Sequence, residues 1–404
     1  MANLLFLVHR LPYPPNKGDK VRSYHLLKHL TATNRVFLGT FVDDPADEVH
    51  VSTVRELCPD LHVARLNPRM AKLRSLTGLL NHQALSLGYY KDSHLQSWVK
   101  QTLATQKIDA TVVFSSAMAQ YVEDAPGVIS PPMLVDFVDV DSAKWTQYAS
   151  SHRWPLSWLY RREGVKLLAY ERAVAARSRR SFFVTENETA LFKKLAPECV
   201  GVIEAMSNGV DADFFSPDPT HASPFAGGRA MTGEIPVVFT GAMDYWPNID
   251  AVTWFASDIL PALRRNWPTL RFYIVGRSPS PAVQALASDA IVVTGTVPDV
   301  RPYLQHSALV VAPLRVARGI QNKVLEAMAM ARPVVASQSC VEAIDACAGE
   351  ELISAADAQG FIREVDTLLK APDRANAVGG AGRLRVVKSY SWTAHLSGID
   401  RYLV

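Results

Sequence analysis

Short apolar runs alternate with longer amphipathic stretches along almost the whole chain. The runs are rich in Val, Leu and Phe and scarcely alternate with polar residues, which is the pattern of parallel strands covered by helices on both faces. In the first half they are NLLFLVH from Asn3, RVFLGT from Arg35, LHVARL from Leu61, ATVVFS from Ala110, PMLVDFV from Pro132, SFFVTE from Ser181 and VGVIEA from Val200. From Asp211 to Pro236 the stretch DADFFSPDPTHASPFAGGRAMTGEIP is dense in Pro, Gly and Ser and breaks the pattern, as an interdomain connection does. The pattern restarts with PVVFTGA from Pro236, LRFYIVG from Leu270, AIVVTGTV from Ala290, ALVVAPL from Ala308 and PVVAS from Pro333. Helical periodicity separates these runs, as in NIDAVTWFASDILPALRR and NKVLEAMAMA. The elements predict an α/β protein of two doubly wound, Rossmann-like domains. Their expected bounds are 1–211 and 236–389 with a linker at 212–235, and a last helix near 390–404 packs back on the first domain. Such sheets bind ligands at the carboxyl ends of their strands, so domains facing across a cleft are expected to share a ligand.

Composition narrows the classes. Of the 404 residues 48% are hydrophobic and 20% charged, which fits a folded globular chain and excludes a disordered one. Lys and Arg total 42 against 39 acids, an excess of +3 that argues against a nucleic-acid binder. No run approaches the length of a membrane-spanning helix. The opening MANLLFLVHRLPYPP has no basic residue ahead of its apolar run and reads as a first strand, not a signal peptide. Cys58, Cys199, Cys340 and Cys347 form no C-x-x-C pair, so neither zinc nor a disulfide framework is indicated and a reducing cytoplasm is expected.

Four stretches carry candidate chemistry. After the first strand, His9 to Lys20 holds three prolines that forbid an early helix, then Gly18 before a helix from Val21 to Leu30. Amides at that helix start, with Lys17 and Lys20, suit an anion; a Pro-rich surface loop is the competing reading. The strand PMLVDFV ends in Asp136, Asp139 and Asp141, with Ser142 and Lys144 behind. Acids there sit where ligands of parallel sheets sit, although the D-x-D spacing also suits a divalent metal and one acid suits a helix cap. His152 to Arg180 holds eight basic residues against Glu163 and Glu171, with Trp154, Trp158 and Tyr160 among them. Interfacial aromatics with cations predict contact with anionic lipid from Trp154 to Arg162, and a packed helix from Val165 onward.

The most informative stretch is VAPLRVARGIQNKVLEAMAMARPVVAS, Val311 to Ser337. A buried strand leads into a loop with Arg315, Arg318 and Gly319, and a helix begins near Gln321 or Asn322. Its open amides, with Lys323 in the first turn, form a site for a diphosphate. Lys323 and Glu326 lie three apart and share a helix face, a cation for phosphate beside a carboxylate for sugar hydroxyls. Gly241 and Gly276-Arg277 each follow a strand where backbone must approach a ligand. No G-x-G-x-x-G, P-loop, G-x-S-x-G or H-E-x-x-H occurs, which excludes the corresponding enzyme classes.

Five pieces in order make the second half resemble the donor-binding domain of retaining glycosyltransferases of family four, which have the GT-B fold. They are NGVDADFF, FTGAMDYWPNIDA, YIVGRSP, VTGTVPDVRPYL and RGIQNKVLEAMAMARPVV. HRLPYPPNKGDKVRSYHLL and VDFVDVDSAKW resemble, more narrowly, sugar transferases of PEP-CTERM/exosortase exopolysaccharide systems. The resemblance implies two GT-B domains and transfer of a sugar, with retention, from a nucleoside diphosphate sugar to a glycan or lipid-linked acceptor. It implies donor contacts from Lys17, Gly18, Gly241, Gly276, Arg277, Val297, Gly319, Ile320, Gln321, Asn322, Lys323 and Glu326, with Asp139, Lys323 and Arg318 as the catalytic set. No metal or other cofactor is expected, and the setting is the cytoplasm at the inner face of a bacterial plasma membrane, whose anionic surface is an expected partner. The family's donor motif has Glu eight residues before the position of Glu326; here Arg318 stands there. The Arg and Lys that many members carry after the first strand of this domain are absent from GAMDYWPN, and Ala331 stands where Gly is common. The lost first acid favours one rival reading, a non-catalytic nucleotide-sugar binding or scaffold protein; a nucleotide-sugar epimerase of the same fold is a second rival.

Overall fold

The apolar runs of the first half become seven strands: β1 (Asn3–Val8), β2 (Arg35–Val42), β3 (Asp60–Arg65), β4 (Ala110–Phe114), β5 (Met133–Val138), β6 (Arg180–Phe183) and β7 (Ile203–Ala205). All pair in parallel, in the order β3-β2-β1-β4-β5-β6-β7. Leu4 to Val8 are fully buried, as a central strand with helices on both faces requires. The second half gives β8 (Ile235–Thr240), β9 (Leu270–Val275), β10 (Ile291–Gly295), β11 (Leu309–Ala312), β12 (Val334–Ser337) and β13 (Ile353–Ala355). These too are parallel, in the order β10-β9-β8-β11-β12-β13. In each sheet the winding reverses beside the first strand, between β1 and β4 and between β8 and β11, and ligands of open α/β sheets collect at such switch points.

In this computed structural model the chain divides into two compact units, Met1–Asn208 with His395–Val404, and Gly209–Ala394. The structure describes residues 1–15, 18–122, 131–225, 233–317 and 320–403. By this division the proline-rich stretch after Asp211 falls within the second unit. The C-terminal residues are tied into the first unit by side chains: Tyr402 and Arg401 both donate to Glu204, at 2.6 and 2.7 Å. No helix of the described residues is long and apolar enough to cross a membrane.

Element ends differ from the sequence pattern where local chemistry intervenes. SFFVTE stops at Phe183 because Thr185 turns outward to cap the helix Glu186–Leu195, accepting from the Glu188 amide at 3.1 Å. VGVIEA becomes a strand only at Ile203, since Pro197–Val202 is a 3-10 turn. The sixth strand of the second sheet, β13, has only three residues with one large apolar side chain, too little for periodicity to reveal. It forms by pairing Ile353 with Val335 of β12.

Candidate functional site

The loops after β8, β9 and β10 are hydrogen-bonded into one frame. Gly241 N donates to Val275 O (3.0 Å), Gly276 N to Gly295 O (3.2 Å) and Met243 N to Arg277 O (2.8 Å). The two glycines touch through their backbones, for a Cβ built on Gly276 would lie 1.7 Å from Gly241 O. Above this frame opens a cavity of about 590 Å³, at the carboxyl ends of the strands and the switch point beside β11.

The helix Asn322–Ala329 points its start into this cavity. Its N-cap residue Gln321 makes no side-chain capping bond and no acid stands in the first turn. The Val324 amide bonds back to Gln321 O (2.9 Å), so the amides of Asn322 and Lys323, two residues that line the cavity, are the donors open to a ligand among the described residues. Lys323 is held in place: Nζ donates to Asn248 Oδ1 and lies 4.6 Å above the Phe239 ring. Asn248 is itself fixed, its Nδ2 donating to Ala242 O at 2.8 Å. Burial pushes Lys323 down to about 8 against the opposing pull of Cys340 and Glu326. Burial likewise pushes the Glu326 carboxyl up to about 7, with Lys323 opposing. Two charge-bearing groups are thus held partly dehydrated on one face, which raises their worth to a ligand that completes their solvation. Thr240 also lines the cavity, and its buried Oγ1 has no hydrogen-bond partner among the described residues. An orphaned hydroxyl in a pocket wall asks for a polar ligand atom.

Residues 234–371 match the family model Glycosyl transferases group 1. The second unit therefore carries a glycosyl transferases group 1 domain, and the cavity lies within it. No curated protein matches the chain. Among solved structures it is similar to Anabaena Alr3699/HepE in complex with UDP, with TM-score 0.62, 14% identity, and 100% of this chain and 99% of that chain covered. It is similar to sucrose-phosphate synthase from Thermosynechococcus elongatus, with TM-score 0.59, 16% identity, and 100% and 98% covered. It is also similar to WaaG, a glycosyltransferase involved in lipopolysaccharide biosynthesis, with TM-score 0.56, 15% identity, and 98% and 99% covered. At these identities the likeness establishes the fold, two parallel-sheet α/β domains of the GT-B type.

Of the residues singled out from the sequence, the group 1 domain brings Gly241, Gly276, Arg277, Val297, Ile320, Gln321, Asn322, Lys323 and Glu326 to one cavity. Arg318, Gly319 and Lys17 lie outside the described residues. Arg315 is committed elsewhere: it grips Asp250 through both carboxylate oxygens and stacks 5.4 Å from Trp254. Asn248, Thr240 and Tyr245 also line the cavity and were not singled out, since an Asn beside a helix-start proline has an ordinary look in sequence.

The first unit holds Gly18 and Asp139. Gly18 opens the helix Gly18–Thr33 with free space around a built Cβ. The three acids in and just after β5 have different fates. Asp136 is buried and accepts from Nε and Nη2 of Arg22 (2.7 and 3.1 Å), whereas Asp139 and Asp141 both accept from Lys144, at 2.7 and 3.1 Å. The shared cation bridges the D-x-D pair and offsets one of its two negative charges, where a metal would sit in the competing reading. Among the eight cations of His152 to Arg180, Arg162 donates to Gly78 O and Gln83 O, and Arg172 pairs with Glu198. Trp154 and Trp158 stay 80% and 54% exposed.

Proposed function

We propose that the protein is a retaining glycosyltransferase that moves a sugar from a nucleoside diphosphate sugar to a glycan or lipid-linked acceptor in bacterial exopolysaccharide or cell-surface glycan synthesis. The observation that carries the donor assignment is the meeting of Lys323, the uncapped helix start, Glu326 and the orphaned Thr240 hydroxyl in one cavity of a group 1 domain. Loss of the sugar leaves negative charge on the departing diphosphate, and prearranged cations and amides lower the barrier to that departure. Lys323 and the exposed Arg277 fill this role in our reading, and the sequence adds Arg318, which lies outside the described residues. Glu326 accepts from ribose hydroxyls, and Asp139 belongs to the acceptor side. Retention follows from the family resemblance, by departure and attack on the same face of the sugar. That HepE was solved with UDP and with UDP-glucose supports a uridine donor class as the first to try.

Titration with nucleoside diphosphate sugars, followed by release of nucleoside diphosphate when acceptor extracts are added, tests the reading. Binding without turnover for any acceptor would favour a non-catalytic binder, and turnover without acceptor an epimerase. Activity is expected to survive exhaustive chelation, because side chains and amides provide the positive charge. A strict requirement for added magnesium or manganese would return Asp139 and Asp141 to metal binding.

The lowered Lys323 value sets a pH dependence. Below about 8 the ammonium is mostly protonated, and above it mostly neutral. A diphosphate binds the protonated form, so its affinity should fall as pH rises from about 7 to about 9.5, and Lys323→Met should flatten the profile. The free protein should move the other way. A lysine whose folded value lies below its unfolded one releases its proton first in the fold, so stability rises with pH between the two values. Calorimetric titrations and melting curves across this range measure both slopes.

The membrane surface enters the reading as the partner that presents a lipid-linked acceptor. Exposed Trp154 and Trp158, with the exposed Arg153 and Arg161, support it.

A further inference from the structure

Between Leu61 and Lys91 the chain carries Arg65, Arg69, Lys72, Arg74 and Lys91 and not one Asp or Glu. In the same stretch the structure turns large apolar side chains outward. Met70 and Leu73 on the helix Pro68–Ser75 are 62% and 63% exposed, and Leu80, at the end of the helix Thr77–Leu80, is 82% exposed. These helices are well made for their place. Asn67 caps the first by accepting from the Arg69 and Met70 amides (3.0 and 3.3 Å), and Arg74 donates to Gly88 O and Tyr89 O (3.0 and 2.9 Å). Their outward apolar residues therefore belong to a built surface.

That surface continues onto the segment with the exposed tryptophans. Arg162 reaches from the helix Leu156–Arg177 to Gly78 O (2.6 Å) and Gln83 O (3.1 Å), and Glu163 accepts from the Leu85 and Ser86 amides (2.7 and 2.9 Å). Trp158 lies one helical turn before Arg162, on the same helix face, and Arg162 in turn bonds Gly78 in the helix Thr77–Leu80 that ends in Leu80. Arg162 acts as a strut joining two apolar, acid-poor segments. Its guanidinium is engaged by carbonyls, which removes it from the set of residues expected to meet lipid headgroups.

We propose that this face of the first unit is a docking surface for an anionic lipid bilayer, with Met70, Leu73, Leu80 and Trp158 entering the interface and Arg69 and Lys72 meeting headgroup phosphates. The proposal rests on the membrane reading above and moves its centre from Trp154–Arg162 to the acid-free stretch. Charge selects the occupant. Arg65 is paired with Glu48 and Arg74 with backbone carbonyls. That leaves Arg69 and Lys72 beside Met70 and Leu73 on a stretch that carries no acid of its own, a pattern that complements a surface apolar below and anionic above. Such a bilayer rewards both halves of the pattern, through burial that salt does not remove and attraction that salt does.

The test is co-sedimentation of the full chain with vesicles of phosphatidylcholine alone or with phosphatidylglycerol. Wild type should pellet with phosphatidylglycerol vesicles and much less with phosphatidylcholine alone. Leu73→Glu with Leu80→Glu should lower partitioning roughly tenfold or more, since two inserted leucines are replaced by charges that the anionic surface repels. Arg69→Gln with Lys72→Gln should remove much of the salt-sensitive part. Leu384→Glu, an exposed apolar residue of the second unit, should change nothing. A Leu80→Cys variant in a Cys347→Ser background, labelled with a polarity-sensitive dye, should shift to the blue on vesicles; the other three cysteines are buried. Wild-type binding that Leu73→Glu with Leu80→Glu leaves intact, with no dye shift, overturns this surface while leaving the membrane reading standing on other residues. A wild type that stays in the supernatant with strongly anionic vesicles at low salt overturns both.

Discussion

Replacing Lys323 by Ala should weaken binding of a nucleoside diphosphate about tenfold to a hundredfold while leaving the free nucleoside almost unaffected. The size comes from the usual loss of about 1.5–3 kcal/mol when a charge-assisted contact is removed. The selectivity comes from position. Lys323 stands in the first turn of a helix whose start faces the cavity uncapped, where an anion is drawn by amides and ammonium together. Asn248 and the Phe239 ring hold the ammonium before any ligand arrives, so little side-chain freedom remains to be lost on binding. The same variant should not destabilise the free protein. Burial lowers the proton affinity of Lys323, which means that the fold disfavours the charged form it carries at neutral pH. A residue kept only for structure would show the reverse, a lower melting temperature with unchanged affinity. Arg at this position should restore little, because a planar guanidinium does not fit the seat that Asn248 and Phe239 make for a compact ammonium. Isothermal titration with diphosphate and nucleoside, beside melting curves, separates these outcomes. Equal losses for both ligands would remove Lys323 from the phosphates.

Why Lys323 was visible in the sequence and Asn248 was not is a matter of local against tertiary signals. A lysine in a helix's first turn opposes the dipole, and that conflict can be read from a dozen residues. Asn248 matters only because Ala242 O and Lys323 converge on it from separate loops, and nothing in NIDAVTWF announces the convergence. The strands were legible because burial on both faces leaves continuous Val, Leu and Phe, as in β1 and β8. β13 was not, since three residues paired along a sheet edge need no such run. The three acids of VDFVDVD looked alike in sequence. One buried arginine, more than a hundred residues earlier in the chain, sets Asp136 apart from its neighbours. The apolar face at Met70 to Leu80 was hidden differently, because helical periodicity reports which residues share a side but not whether that side is covered.

A single methyl group at Gly276 should cost the group 1 domain more stability than any other small change at the site. Its Cβ would stand 1.7 Å from Gly241 O and 2.8 Å from Gly241 C, both backbone atoms, so no side chain can swing aside to admit it. The loops must part, and the bonds Gly241 N to Val275 O and Gly276 N to Gly295 O must stretch with them. Overpacking of this kind costs about 1–3 kcal/mol, and the positive φ of 153° at Gly276 adds to it. For a domain of this size that corresponds to a melting temperature lower by roughly 5–10 °C. Gly241→Ala makes the informative contrast, because its φ of 159° is close to that of Gly276 and the two differ in what the new methyl meets. There the new Cβ would meet Asn248 Nδ2 at 2.8 Å and Lys323 Nζ at 3.2 Å, the far ends of side chains that can move. It should therefore melt closer to wild type yet bind nucleoside diphosphate poorly, having pushed Lys323 off its seat. Gly295→Ala, with a φ of 69° but open space around its Cβ, isolates the backbone cost alone, about 1 kcal/mol. If Gly276→Ala melts no lower than Gly295→Ala, the β8 and β9 loops do not meet as closely as their backbones indicate, and the floor of the cavity has to be redrawn.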